Sequence, residues 1–108
     1  MQTEVRIRVL SRDRELRAWL VDELALLSPT IEVQTIDTLD TTGTQLLIVE
    51  LDGLATADVD RLCKLTIPVI AIGAPHAQLA TAPCVCMLDA GLTSKQLKRA
   101  VLDSLSGG

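Results

Sequence analysis

The hydrophobic positions change period along this chain, and each change marks an element. Val5–Leu10 is rich in β-branched residues and closes on the polar run Ser11-Arg12-Asp13, the pattern of a strand running into a loop. Leu16, Trp19, Leu20, Leu24 and Leu27 then recur at spacings of three and four, which predicts a helix with one buried face. Ser11 or Asp13 is placed to cap its start and Ser28-Pro29 to stop it, giving a length of about 16 residues. Ile31–Ile36 alternates, as an edge strand with one wet face does, and residues 37–45 are threonine-rich with almost no helical signal. Leu46–Glu50 is a continuous apolar run, expected of a central parallel strand covered on both faces.

The second half repeats the scheme. A short helix is predicted over Ala57–Leu65, with Val59, Leu62 and Cys63 on one side, and Pro68 introduces a second buried strand, Val69–Ile72. Residues 74–83 offer only Leu79 as a bulky apolar group, room for a turn or two of helix. Cys84–Leu88 reads as the last strand. Thr93 and Gln96 form a capping box that opens a final helix using Leu97, Val101 and Leu105. Residues 1–105 therefore read as one domain, and 106–108 as a tail or the start of a linker.

Strands alternating with helices imply a parallel sheet with helices on both faces, and right-handed crossovers narrow that to a doubly wound arrangement. Nine residues separate Ile36 from Leu46, fewer than the dozen or so that a helical parallel crossover normally takes. The second crossover is accordingly expected to be a loop or a single turn. An antiparallel pairing at this point is the rival arrangement.

Composition narrows the function. The chain has 108 residues, 48% of them hydrophobic, with one Trp and no Tyr or Phe. Leu, Val, Ile and Ala must pack the core, which argues against a binding surface built on aromatic anchors, such as a base-stacking platform for single-stranded nucleic acid. The net charge of −4 disfavours general binding to nucleic acid or anionic membranes. No apolar run approaches the roughly 20 residues of a membrane span, and charges interrupt every early apolar run, so no signal peptide is read. Three cysteines without paired spacing suggest reduced thiols and a cytoplasmic setting. Cys84 and Cys86, with Cys63, lack the four-ligand spacing of a zinc site and are expected in the core; no metal or cofactor is predicted.

The order and apolar pattern of the elements resemble the receiver domain of bacterial response regulators over nearly the whole chain. The resemblance implies an α/β, flavodoxin-like fold with a five-stranded sheet in the order 2-1-3-4-5, here with reduced second and fourth helices. It also implies a phosphorylation site at the carboxyl ends of the strands: an acidic pair holding magnesium, an accepting Asp, a Ser or Thr, and a Lys. In this sequence those positions align with Ser11 and Arg12, Glu50, Gly73 and Ala90. Without the acids, lysine and hydroxyl, Glu50 lacks the groups that position and stabilise a transferring phosphoryl group. The resemblance therefore implies a vestigial site and no enzymatic activity. An ion pair is a further expectation, with the Arg12 guanidinium standing in for the metal and Glu50 for the phospho-aspartate.

The surface supplies the remaining candidates. Arg14 and Arg17 on the first helix are expected near Lys95, Lys98 and Arg99 on the last. With Met87 these form a candidate interaction surface for an acidic partner or a phosphate-bearing ligand, or else are ordinary solvated positions. Arg8, inside the first strand, either snorkels to the strand's amino end or faces a partner. Trp19 is expected in the core, with an exposed docking strip as the alternative. The leading expectation is a phosphorylation-independent signalling module that binds another protein, a fused effector domain or a second copy of itself. Three alternatives stand beside it: a sensor of a small anion or nucleotide at the switch-point edge, an active phospho-acceptor, and the amino-terminal localisation domain of a MinD-like pilus-assembly ATPase.

Overall fold

A computed structural model describes residues 5–28, 30–74 and 76–106. In chain order the elements are β1 (Val5–Leu10), α1 (Arg14–Ala25), β2 (Ile31–Ile36), β3 (Leu46–Glu50), α2 (Thr56–Cys63), β4 (Val69–Ile72), α3 (Ala77–Ala80), β5 (Val85–Leu88) and α4 (Ser94–Ser106). The strands form one sheet in the order β2-β1-β3-β4-β5, and every pairing is parallel. Ile7 lies opposite Leu46 on one side and Val33 on the other, which excludes the antiparallel rival. The doubly wound α/β fold follows the apolar pattern.

Consecutive residues of a strand face opposite ways, so a central strand covered on both sides must be apolar throughout. Leu46, Leu47, Ile48 and Val49, and all of β4, are completely buried. One sheet face carries Ile7, Val9, Leu46, Ile48, Ile70 and Ile72, and is covered by α1 and α4 through Leu20, Leu24, Leu97, Ala100 and Val101. The other carries Leu10, Leu47, Val49, Val69 and Ala71, covered by Val59 and Leu62 of α2, Leu79 of α3 and Leu39 from the 37–45 loop. Each fully buried aliphatic side chain contributes roughly 1.5–3 kcal/mol relative to exposure.

Several boundaries differ from the sequence reading. The α1 helix has 12 residues, fewer than the sixteen or so expected, because Leu26 and Leu27 turn back to bond Glu23 and Leu24; Pro29 lies outside the described residues. Asp13, not Ser11, is its cap: the Asp13 carboxylate accepts from the backbone N–H of Glu15 (2.9 Å) and Leu16 (3.2 Å). The α2 helix starts one residue early and stops at Cys63, and β5 begins at Val85 instead of Cys84. The capping box forms as read: Thr93 N–H donates to Gln96 Oε1 (2.9 Å), and Gln96 N–H to Thr93 Oγ1 (3.2 Å). Ser106, read as tail, is the last residue of α4; 107–108 lie outside the described residues.

The β2–β3 crossover contains no helix. In its place the loop is tied to β1 by polar contacts. Arg8 Nη1 donates to the Asp40 carbonyl at 3.0 Å and pairs with the Asp40 carboxylate at 3.8 Å, leaving its side chain 17% exposed. Gln45 Oε1 accepts from the Arg6 N–H at 2.7 Å. Arg8 therefore does not snorkel to the strand's amino end; the short crossover covers it. No helix among the described residues is long and apolar enough to cross a membrane.

Candidate functional site

In a doubly wound sheet, ligands bind outside the carboxyl ends of the strands, where the winding reverses. Here that point lies between β1 and β3. Ser11 follows β1 directly, is buried, and donates its hydroxyl to Glu50 Oε1 at 2.9 Å. The Asp13 N–H reaches the same oxygen at 3.3 Å and Ser11 Oγ at 3.2 Å. Glu50, at the end of β3, thus fastens the loop that starts α1. Hydrogen bonds to a charged acceptor are worth about 1.5–3 kcal/mol when buried, and this half-buried pair sits at the lower end.

Two grooves flank Glu50. One, of ≈ 740 Å³, opens toward β2 and α2 and is lined by Arg12, Arg17, Arg61, Asp37, Asp52 and Asp58 over a floor of Leu10, Ile36, Leu39 and Leu54. The other, of ≈ 490 Å³, opens toward β4 and β5 and includes Gly53, Gly73, His76 and Ala90. Glu50, Gly73 and Ala90, the positions that the resemblance aligned with a phosphorylation site, therefore line one groove. Gly73 has φ +141°, and a Cβ there would meet Leu51 Cβ at 3.4 Å. That backbone favours glycine and opposes any residue with a Cβ.

The expected Arg12–Glu50 ion pair does not form. Glu50 is bonded by Ser11 and Asp13, while the Arg12 side chain lies across Gly53 (φ +77°), with Cδ and Nη1 each 3.5 Å from where a Cβ would project. Nor do the residues fit a magnesium ion. Ser11 and Arg12 supply no carboxylate beside Glu50, and the Asp13 carboxylate is occupied as a helix cap. Among the described residues no three His, Cys, Asp or Glu side chains converge.

The predicted interaction surface divides. Arg14, Lys95, Lys98 and Arg99 are exposed. Arg17, however, turns into the larger groove, and the first turn of α4 meets the later part of α1, where Ser94 Oγ donates to Glu23 Oε1 at 2.8 Å. Met87 is half-buried against the core of the opposite sheet face from α4. It cannot join a surface with the three α4 cations. Trp19 packs at the margin of the α1–α4 core. Large exposed apolar side chains are Leu26 (77%) and Leu102 (57%).

Sequence reasoning missed Asp37, Asp52, Asp58 and Arg61 in the groove. The first two follow β2 and β3 within two residues, and acids just beyond parallel strands are the signal that would have found them. Asp58 and Arg61 pair at 3.8 Å, and Arg61 also reaches the Leu39 carbonyl at 3.4 Å. The three cysteines are unpaired and half-buried. Burial, and secondarily the charge of Asp103, pushes the Cys86 thiol above its ordinary pKa, which disfavours the reactive thiolate.

No protein-family model and no curated protein matches this sequence. Among solved structures, the chain is similar to part of a lysine decarboxylase of Francisella novicida, with TM-score 0.70 and 7% identity. The match covers 99% of this chain and 18% of that one. At that identity the likeness defines the fold, a flavodoxin-like α/β domain, and nothing of the chemistry.

Proposed function

We propose that this domain is a phosphorylation-independent protein-interaction module of the cytoplasm, an atypical receiver whose switch point is fixed without metal or phosphate. The observation that carries this reading is the engagement of Glu50 Oε1 by the Ser11 hydroxyl and the Asp13 N–H. The carboxylate in the acceptor position is already committed to holding the α1 loop, so one arrangement is favoured permanently. The partner-facing surface is the outer side of α4, where exposed Lys95, Lys98 and Arg99 adjoin Leu102, a combination suited to an acidic protein surface with an apolar centre.

Two measurements test it. Incubation with acetyl phosphate and magnesium, read by intact mass, is expected to leave the chain unmodified; a clean gain of one phosphoryl group overturns the reading. Cross-linking in native extract is expected to join Lys95 or Lys98 to one recurrent protein. Reversing the charge of Lys95, Lys98 and Arg99 together is expected to abolish that cross-link at physiological salt, and capture that survives the reversal removes α4 from the interface.

A further inference from the structure

We propose that the larger groove beside the switch point binds a nucleoside phosphate, a role beyond the protein-interaction reading. The chain's short second crossover creates the space: with no helix over 37–45, the carboxyl ends of β1, β2 and β3 open into a groove of ≈ 740 Å³. That lies within the range of small-molecule and cofactor sites, about 300–1,000 Å³, room enough for a nucleotide.

The charges around it are unequally committed. Glu50 is held by Ser11 and Asp13, and Asp58 is paired with Arg61. The guanidinium groups of Arg12 and Arg17 make no hydrogen bond or ion pair with any described residue, Arg12 being exposed and Arg17 half-buried along the groove. A guanidinium with no partner at the wall of a groove is free to take one, and its planar fork matches phosphate oxygens bidentately. Asp37 and Asp52 line the same groove without partners among the described residues. Carboxylates there would repel a simple polyanion but accept from the N–H groups of a base or the hydroxyls of a ribose. Leu10, Ile36, Leu39 and Leu54 supply an apolar floor for the base. Cations for phosphate, acids for N–H and O–H donors, and an apolar floor are together the complement of a nucleotide.

The test is isothermal titration of the full chain with ATP, GTP and inorganic phosphate at about 0.15 M salt. At least one nucleotide is expected to bind with a Kd of about 1 mM or tighter, with inorganic phosphate at least tenfold weaker. Arg12→Ala/Arg17→Ala is expected to weaken nucleotide binding at least tenfold, with circular dichroism unchanged. Arg12→Ala alone, at an exposed position, is expected to weaken it several-fold. Lys64→Ala removes a cation elsewhere and is expected to leave binding unaltered. No binding by either nucleotide, phosphate binding as tightly as the nucleotides, or an equal loss with Lys64→Ala overturns the proposal. A null titration leaves the acetyl phosphate result untouched, so the two readings fail separately.

Discussion

The two faces of the sheet solve the same burial problem with different materials. The face under α1 and α4 meets two helices of 12 and 13 residues, and its core is assembled from aliphatic side chains such as Ile7, Leu24, Ile48 and Leu97. The opposite face is covered by the short α2, the single turn of α3, and a nine-residue loop from which Leu39 reaches in. Toward the amino end of β1 that second cover runs out, and Arg6 and Arg8 stand on the face where an apolar pair would otherwise be. Shortening one crossover thus converts part of a core into a polar contact zone, and at the other end of the same strands it leaves a groove open. The apolar face provides stability, while the thinner face carries the side chains with chemistry.

The largest expected effect contrasts the two covers directly. Leu24→Ala removes a completely buried side chain between α1 and the sheet, and is expected to destabilise by about 3 kcal/mol, within the range for such cavities. Leu39→Ala, in a loop able to collapse onto the space left, is expected to cost about half as much. Urea denaturation of both variants measures the difference. Equal losses would mean that the loop is as rigid a cover as the helix.

The contribution of Arg8 is next in size. Arg8→Ala deletes the bond to the Asp40 carbonyl and the ion pair with its carboxylate, and is expected to cost about 1–2 kcal/mol. Because only the loop depends on this anchor, limited proteolysis is expected to shift its first cut into residues 37–45. If cutting stays elsewhere, the arginine is not what fastens the loop.

How far these features were legible in the sequence depends on the range of the interaction. Strands and helices were readable because periodicity is local: Leu46–Val49 must be apolar throughout, and Thr93 and Gln96 lie three residues apart. The missing second helix was readable from crossover length alone. The partner of Arg8 lies 32 positions away, and no local pattern marks it. The switch point shows the same limit. Opposite charge suggested Arg12 for Glu50, yet it is Ser11 and the Asp13 N–H that reach the carboxylate. The buried hydroxyl took the position, and the long guanidinium went out over Gly53.

Thr44 offers a change of opposite sign on the same loop. Its hydroxyl is buried and has no hydrogen-bond partner among the described residues. Thr44→Val keeps the branched shape while removing an unsatisfied polar atom, and is expected to stabilise by up to about 1 kcal/mol. A lower melting temperature in this variant would show that the hydroxyl is satisfied in solution.

The smallest expected effect is a pH dependence that belongs to the thin face. The backbone N–H of Thr42, then the Thr42 hydroxyl, and last the charge of Arg8 hold the Asp40 carboxyl below its ordinary value of 3.8. The Thr42 N–H lies 3.0 Å from the carboxylate. A carboxyl whose pKa is depressed on folding stabilises the fold above its unfolded value and loses that contribution as pH falls through the folded one. Wild type and Asp40→Asn are therefore expected to differ in urea midpoint at neutral pH, with wild type the more stable. The gap is expected to narrow as pH falls below 3.8. Other carboxylates titrate over the same window, so the informative quantity is the difference between the two proteins and not either curve alone. A gap that stays constant into acid would mean that the loop is held by the shape of the Asp40 turn, with its charge contributing nothing.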